Sequence, residues 1–166
     1  MEKIIQGPIW RFGDGISTDH ITPGRYYHLR GDLSALAKHT LEDENPDFAQ
    51  NAKPGDIIAA GKNFGQGSSR EHAALVLKER GILAVLSPSF ARIFYRNAVN
   101  VGVLPIICET EGFQDGDAIR IDLAEGQVTN LTQNLVHPFS PLPPIMREIL
   151  EDGGLVPHVL ERGGLG

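Results

Sequence analysis

A glycine-rich segment between an apolar run and a helix-forming run constrains the fold of this chain more than any other feature. Residues 57–60 follow a Pro-Gly turn and predict a buried strand. Residues 73–80 are good helix formers. Between these runs, Gly61, Gly65 and Gly67 permit positive φ angles and close approach of the backbone to a ligand. The sequence therefore predicts a strand–loop–helix junction whose loop can bind a ligand.

A second apolar run places this junction in a sheet. Residues 82–86 follow the helix directly after Gly81, which predicts a βαβ unit. The glycine-rich loop then lies at the carboxyl end of a strand, where ligands bind in open α/β sheets. The other predicted elements are a strand at 3–12, a structured turn at 16–24, an exposed loop at 25–31, a helix at 33–41 with Asp32 as its N-cap, an irregular segment at 42–53, a helix at 90–97, a strand at 101–107, a hairpin of strands 118–123 and 127–131, a helix at 145–150 and a surface tail.

The loop has the chemistry of an anion site. Ser68 or Ser69 can cap the following helix, whose first N–H groups then point into the loop. Arg70 adds a planar guanidinium suited to carboxylate or phosphate. The loop lacks the Lys followed by Ser or Thr that closes a phosphate-binding P-loop, so a carboxylate is the expected ligand. Taken alone, such a serine pair would be a helix cap more often than a catalytic pair.

Composition limits the classes of function. The 166 residues, with 41% hydrophobic and 22% charged side chains, indicate one globular domain spanning 1–166. A net charge of −6 without a basic block argues against nucleic acid. No apolar run approaches the roughly 20 residues of a membrane span, and no signal-peptide pattern begins the chain. We therefore expect a cytoplasmic protein. Its one cysteine, Cys108, cannot by itself form a disulfide or ligate a cluster.

Several motifs, in the expected order, resemble the aconitase superfamily. Over nearly its whole length the chain is similar to the free-standing small subunits of 3-isopropylmalate dehydratase and homoaconitase. The matching segments are GKNFGQGSSREH at 61–72, SFARIFYRNA at 89–98, WRFGD at 10–14, the Ser-Thr-Asp segment at 17–21, Pro-Asp-Phe at 46–48 and the closing segment at 148–154.

The resemblance implies a fold and a reaction. The fold is a swivelling β/β/α domain of the α/β class, with mixed β-sheets flanked by helices. The reaction is that of a hydro-lyase, which moves water between neighbouring carbons of a small hydroxy-dicarboxylic or tricarboxylic acid. As 3-isopropylmalate dehydratase it would isomerise 2- and 3-isopropylmalate in leucine biosynthesis. The implied partner is a large subunit, in a heterodimer or heterotetramer, and this subunit carries the 4Fe–4S cluster. The chain itself would bind no cofactor or metal, would be inactive alone and could self-associate.

The resemblance also assigns roles to residues of the glycine-rich loop. Ser68 corresponds to the catalytic base that removes a proton from carbon. Its alkoxide would need the positive potential of the helix N-terminus and of Arg70. Arg70 corresponds to an arginine that holds a substrate carboxylate, and Ser69 to a neighbouring hydrogen-bond donor. Gln66 stands where many small subunits have cysteine, which we interpret as a matter of loop geometry.

Residues of the first loops correspond to further substrate contacts. Asp19 and Thr22 match polar site residues of aconitases, and Arg30 resembles an arginine that binds the distal carboxylate. An arginine suits a carboxylate-bearing side arm, as in homoaconitate or a citrate-like acid, whereas an apolar residue would suit an isopropyl group. The sequence therefore does not decide between isopropylmalate, homoaconitate and a citrate-like acid as the substrate. A stand-alone carboxylate-binding module is an alternative of another class, and a serine hydrolase is disfavoured because Gly-x-Ser-x-Gly is absent.

Overall fold

Seven strands form one mixed sheet in residues 4–68 and 70–163, the part of the chain that the computed structural model describes. The strands are β1 (Ile4–Arg11), β2 (Ile57–Ala59), β3 (Ala84–Ser87), β4 (Leu104–Ile107), β5 (Ala118–Asp122), β6 (Gln127–Asn130) and β7 (Leu135–Pro138), in the spatial order β4-β3-β2-β1-β5-β6-β7. Strands β1 to β4 pair in parallel, and β1 pairs with β5, β5 with β6 and β6 with β7 antiparallel. The carboxyl ends of β1, β2 and β3 therefore lie at one edge of the sheet.

Helices cover this sheet and connect its strands. They are α1 (Thr18–Ile21), a 3₁₀ helix (Gly24–Leu29), α2 (Leu33–Ala37), α3 (Pro46–Asn51), α4 (His72–Glu79), α5 (Arg92–Val101), α6 (Pro144–Glu151) and α7 (Leu155–Arg162). Within the described ranges, none of them is long and apolar enough to cross a membrane.

The core lies on both faces of the sheet, and β2 contributes to both sides. Ile57 and Ile58 are fully buried, but they belong to different clusters because successive strand side chains point to opposite faces. Ile58 packs in a cluster with Phe48 and Leu77, whereas Ile57 packs in one with residues of the antiparallel strands. A strand buried on both faces reads as a continuous apolar run, which is why β2 was recognisable in the sequence.

The central part of the predicted fold is confirmed. Strands β2 and β3 pair in parallel with α4 between them, and β5 and β6 form the predicted hairpin. Asp32 caps α2 by accepting a hydrogen bond from the Ala35 amide. The architecture is an α/β fold with a mixed sheet flanked by helices, as the resemblance implied.

Five segments differ from the sequence-based expectations. The segment expected to be irregular at 42–53 contains α3, which Asn45 caps with Pro46 as its first residue. The turn expected at 16–24 includes the helix α1, and the loop expected at 25–31 is largely a 3₁₀ helix. The expected surface tail forms α7, and β7 was not predicted at all.

Candidate active site

The glycine loop, residues 61–70, lies between the loops that follow β1 and β3 at the carboxyl edge of the sheet. On the β1 side, the Gly65 amide donates to the Ile16 carbonyl over 2.6 Å, and the Thr18 amide donates to the Gln66 carbonyl over 2.7 Å. The side chain of Gln66 donates to the Asn63 carbonyl within the loop. Backbone hydrogen bonds thus fix the glycine loop against the start of α1.

An aromatic cluster fixes the loop on the β3 side. Phe64 is fully buried and contacts the rings of Phe90 and Phe94 edge-on, with centroids 6.1 and 5.2 Å away. The Phe64 amide donates to the Ser89 carbonyl over 3.1 Å. Gly65 has a φ of 89°, and a Cβ at this position would lie 2.3 Å from the Phe94 ring. Only glycine fits this turn without displacing the cluster.

Ser68 is half-buried, and both its backbone and its side chain are hydrogen-bonded. Its amide donates to Thr18 Oγ1 over 3.0 Å. Its Oγ accepts from the Arg70 amide over 3.1 Å and from Arg70 Nε over 2.7 Å. A hydroxyl oxygen that accepts from a guanidinium costs less free energy to deprotonate, because the cation stabilises the alkoxide. The pair can therefore serve as a base and its electrostatic support.

The serines of the loop do not cap α4 within the described residues. Ser68 is not the cap of α4, since Glu71 occupies the N-cap position without a side-chain hydrogen bond. The Ser68 hydroxyl is instead turned to Arg70. Ser69 lies outside the described residues.

Tyr27 on the 3₁₀ helix joins the glycine loop to the loop that contains Arg30. The guanidinium carbon of Arg70 lies 4.4 Å from the centroid of the Tyr27 ring, and that of Arg30 lies 4.7 Å from it. Arg30 also donates from Nη1 to the Tyr27 carbonyl over 3.2 Å. His72 meets the same ring edge-on at 5.8 Å. Ser68, Arg70 and Arg30 are thus brought together around Tyr27, which the sequence reasoning did not assign to the site.

A second set of contacts holds the 3₁₀ helix from its other side. Tyr26 stacks on His39 with centroids 3.7 Å apart, and Arg25 binds both oxygens of Asp43. The hydrogen bond from Arg25 lowers the pKa of Asp43, and those from His39 and Tyr26 lower the pKa of Glu42. These contacts fix the 3₁₀ helix independently of Tyr27.

The structure places Asp19 on α1, beside the glycine loop, and Thr22 at the C-cap of the same helix. The side chain of Asp19 is exposed in the first turn, and its carboxylate lies near Gly24. The buried Thr22 hydroxyl donates to the Thr18 carbonyl over 3.0 Å within α1. The residue of this helix that bonds Ser68 is Thr18, which belongs to the Ser-Thr-Asp motif but was not assigned a role from sequence. Its buried position on the helix that faces the loop could not be read from the motif.

The described residues do not fit an iron–sulfur cluster. Cys108 is buried, and this burial together with Glu109 raises the pKa of its thiol to about 12. A thiolate is the form that ligates metal. In residues 4–68 and 70–163, no group of three or more His, Cys, Asp or Glu side chains could hold a metal ion.

Known proteins resemble this chain along nearly its whole length. The model of the aconitase C-terminal domain matches residues 24–111. The 3-isopropylmalate dehydratase small subunit 2 of Archaeoglobus fulgidus is 54% identical, with 96% of each chain covered. The methanogen homoaconitase small subunit of Methanothermobacter thermautotrophicus is 51% identical over 97% of this chain and 94% of its own.

A solved structure agrees with this relationship. The crystal structure of 3-isopropylmalate dehydratase from Methanocaldococcus jannaschii superposes with a TM-score of 0.91 at 44% identity, covering 96% of this chain and 95% of that one. Similarity of this extent, in sequence and in fold, leaves one conclusion. The chain belongs to the aconitase C-terminal domain family, among the small subunits of the 3-isopropylmalate dehydratase and homoaconitase type.

Proposed function

We propose that this chain is the small subunit of a two-chain 3-isopropylmalate dehydratase, active in the cytoplasm as a heterodimer or heterotetramer with its large subunit. The proposal treats residues 1–166 as a single swivelling domain that brings half of the active site to its partner. The observation that carries it is the hydrogen bond from Arg70 Nε to Ser68 Oγ, in a chain 54% identical to a 3-isopropylmalate dehydratase small subunit.

Ser68 is the proposed base. Its Oγ takes the proton from the carbon next to a carboxylate, and the electrons of the broken C–H bond form the double bond as hydroxide leaves the neighbouring carbon. The amide and Nε of Arg70 stabilise the developing charge on Oγ, and Thr18 holds the Ser68 amide in place. Rehydration reverses these steps with water added to the other carbon. A 4Fe–4S cluster would supply Lewis-acid chemistry at the leaving hydroxyl, and we assign it to the large subunit because the described residues of this chain do not fit one.

The substrate carboxylates are assigned to the arginines. Arg70 uses Nε and its amide on Ser68, so its outer nitrogens are the ones assigned to the carboxylate beside the reacting carbon. Arg30 is assigned to the far end of the substrate. Ser69, Asp19 and Thr22 complete the proposed substrate contacts, on the basis of the resemblance to aconitases.

Homoaconitate is the second candidate substrate. Arg30 is exposed and lies over the Tyr27 ring next to Arg70, which supports its assignment as a second cation for a substrate side arm. A cation there favours a carboxylate-bearing arm over an isopropyl group. The identity of 51% to a homoaconitase small subunit is also close to that of the isopropylmalate relatives.

Reconstitution with the large subunit of the same organism tests the proposal. We expect isopropylmalate hydration and dehydration, followed by ultraviolet absorbance of the unsaturated acid, only when both chains are present. Activity of this chain alone would contradict the two-chain proposal. A mixture that is inactive on every acid, combined with dicarboxylate binding to this chain alone, would instead favour a carboxylate-binding module.

The variant Arg30→Leu separates the two substrates. If Arg30 binds a carboxylate arm, this change lowers kcat/KM for homoaconitate by about tenfold or more and leaves isopropylmalate turnover less affected. An unchanged ranking of the two acids would exclude Arg30 from specificity.

A further inference from the structure

Tyr27 contacts both arginines of the candidate site through a single ring. The guanidinium carbons of Arg30 and Arg70 lie 4.7 and 4.4 Å from the same ring centroid. They are therefore no farther apart than the sum of these two distances. Both cations gain from the negative face of the phenol ring, which offsets part of the repulsion between two like charges.

The local backbone explains why Tyr27 and Arg30 meet. A 3₁₀ helix has three residues per turn, so side chains three positions apart lie above each other. The helix spans Gly24–Leu29, and Arg30 follows as its C-cap in helical conformation. The Arg30 guanidinium thus lies over the Tyr27 ring and also donates to the Tyr27 carbonyl. The position of Arg30 depends on Tyr27 through two contacts.

Arg70 reaches the ring from a different part of the chain. Its Nε donates to Ser68 Oγ over 2.7 Å, and its guanidinium carbon lies over the Tyr27 ring. These two contacts leave few orientations for the side chain. Tyr27 is therefore the one described residue whose ring touches the guanidinium groups of both arginines.

We propose that Tyr27 is a positioning residue that sets the separation of Arg30 and Arg70, so that the carboxylate beside the reacting carbon and the far end of one substrate molecule reach both guanidinium groups. This inference rests on the proposed function of the loop. Tyr27 does not take part in the proton transfer; it acts through the arginines. Its neighbour Tyr26 has a different task, because it stacks on His39 and helps to anchor the 3₁₀ helix.

The neighbouring tyrosine provides a matched control. Tyr27→Leu removes the shared ring, Tyr27→Phe keeps the ring without the hydroxyl, and Tyr26→Leu makes the same change one residue earlier. In the reconstituted enzyme, we expect Tyr27→Leu to raise KM about five- to twentyfold, with a smaller change in kcat. Tyr27→Phe should remain within about twofold of wild type, and Tyr26→Leu should lower Tm with a smaller effect on KM.

A second measurement tests the geometry without the partner. In the ¹⁵N-labelled isolated chain, the Nε–H protons of Arg30 and Arg70 should carry ring-current shifts from Tyr27. Tyr27→Leu should move both signals, whereas Tyr27→Phe and Tyr26→Leu should leave them nearly in place. Signals that do not respond to Tyr27→Leu would overturn the shared-ring arrangement.

The outcomes distinguish this inference from the proposed function. An active wild-type complex in which Tyr27→Leu has a wild-type KM would overturn the positioning role and leave the proposed function standing. A wild-type complex without turnover on any hydroxy acid would overturn the proposed function and the positioning role with it. A raised KM that Tyr27→Phe restores would support both.

Discussion

At the scale of single residues, Gly65 has no room for a side chain. It combines a φ of 89° with a hypothetical Cβ that would lie 2.3 Å from the Phe94 ring. Gly112 has a similar φ of 83°, but a Cβ there would meet nothing within 4 Å. A side chain at Gly112 would therefore meet only backbone strain, whereas one at Gly65 would meet both backbone strain and a steric clash.

We therefore expect unequal effects from the same substitution. Gly112→Ala should cost about 1 kcal/mol of unfolding free energy, because it introduces only left-handed strain. Gly65→Ala should cost about 3 kcal/mol or more, because the methyl group also displaces Phe94. Urea unfolding of the isolated chain measures both values, and equal losses at the two positions would contradict the steric account.

The site residues also differ in how well the sequence predicts their contacts. Ser68 and Arg70 lie two positions apart in one motif, so their hydrogen bond could be anticipated from the loop itself. Arg30 was assigned only by resemblance. Tyr27 and Thr18 were missed because their contacts depend on a 3₁₀ turn and on a one-turn helix that the sequence suggested only as loop and turn. Propensity is weak over such short segments, and tertiary contacts decide their conformation.

At the scale of secondary structure, α1 supports the catalytic loop through one hydroxyl. Thr18 is 4% exposed, and its Oγ1 accepts the Ser68 amide hydrogen. The helix is four residues long and begins with a capping box in which Ser17 and His20 bond each other's backbone amides. The position of Ser68 therefore depends on a short helix whose N-terminus is well capped.

The variant Thr18→Val tests this dependence with little change in volume. The half-buried Ser68 amide would lose its acceptor, which costs about 1 kcal/mol of unfolding free energy. We also expect kcat of the reconstituted enzyme to fall by about tenfold or more, because Ser68 Oγ is no longer held in place. Thr40→Val is the matched control, since the buried Thr40 hydroxyl bonds the Ala37 carbonyl away from the loop. Equal kcat values for both variants would show that Thr18 has no such role.

The elements that sequence analysis missed have identifiable causes. Helix α3 carries a start signal, Asn45 followed by Pro46, that the acidic composition of its segment obscured. Helix α7 follows Gly153 and Gly154, which were read only as the end of α6. It is held by the buried His158, which bonds Asp152 at 2.8 Å across the two helices. This contact joins α7 to the residue that ends α6, and the residue pattern of neither helix shows it.

At the scale of the whole molecule, one sheet separates two apolar clusters. The parallel half carries the candidate site at its carboxyl edge, and the antiparallel half extends the sheet on the other side of β1. Cys108 directly follows β4. It belongs to the apolar cluster that contains residues from both the parallel and the antiparallel half of the sheet. Its thiol can therefore report on the opening of the core.

Cys108 should be unreactive until the chain unfolds. Burial raises the pKa of this thiol to about 12, which keeps it protonated in the folded chain. The thiolate forms only as the pH approaches that value. At a pH near the ordinary thiol pKa of about 8.5, alkylation by iodoacetamide should be slower than in the urea-unfolded chain by at least about 100-fold. Mass spectrometry measures the rates, with Cys108→Ser as the blank. Rapid alkylation of the folded chain would contradict the buried position.

The central claim is that Ser68 is the base of a two-chain hydro-lyase, and one variant tests it most directly. Ser68→Ala removes Oγ, to which Arg70 donates two hydrogen bonds, but leaves the Ser68 amide bonded to Thr18. In the complex with the large subunit, kcat for isopropylmalate should fall by about a thousandfold or more, while size-exclusion chromatography detects the same assembly as wild type. Wild-type turnover by the assembled Ser68→Ala complex would contradict the account.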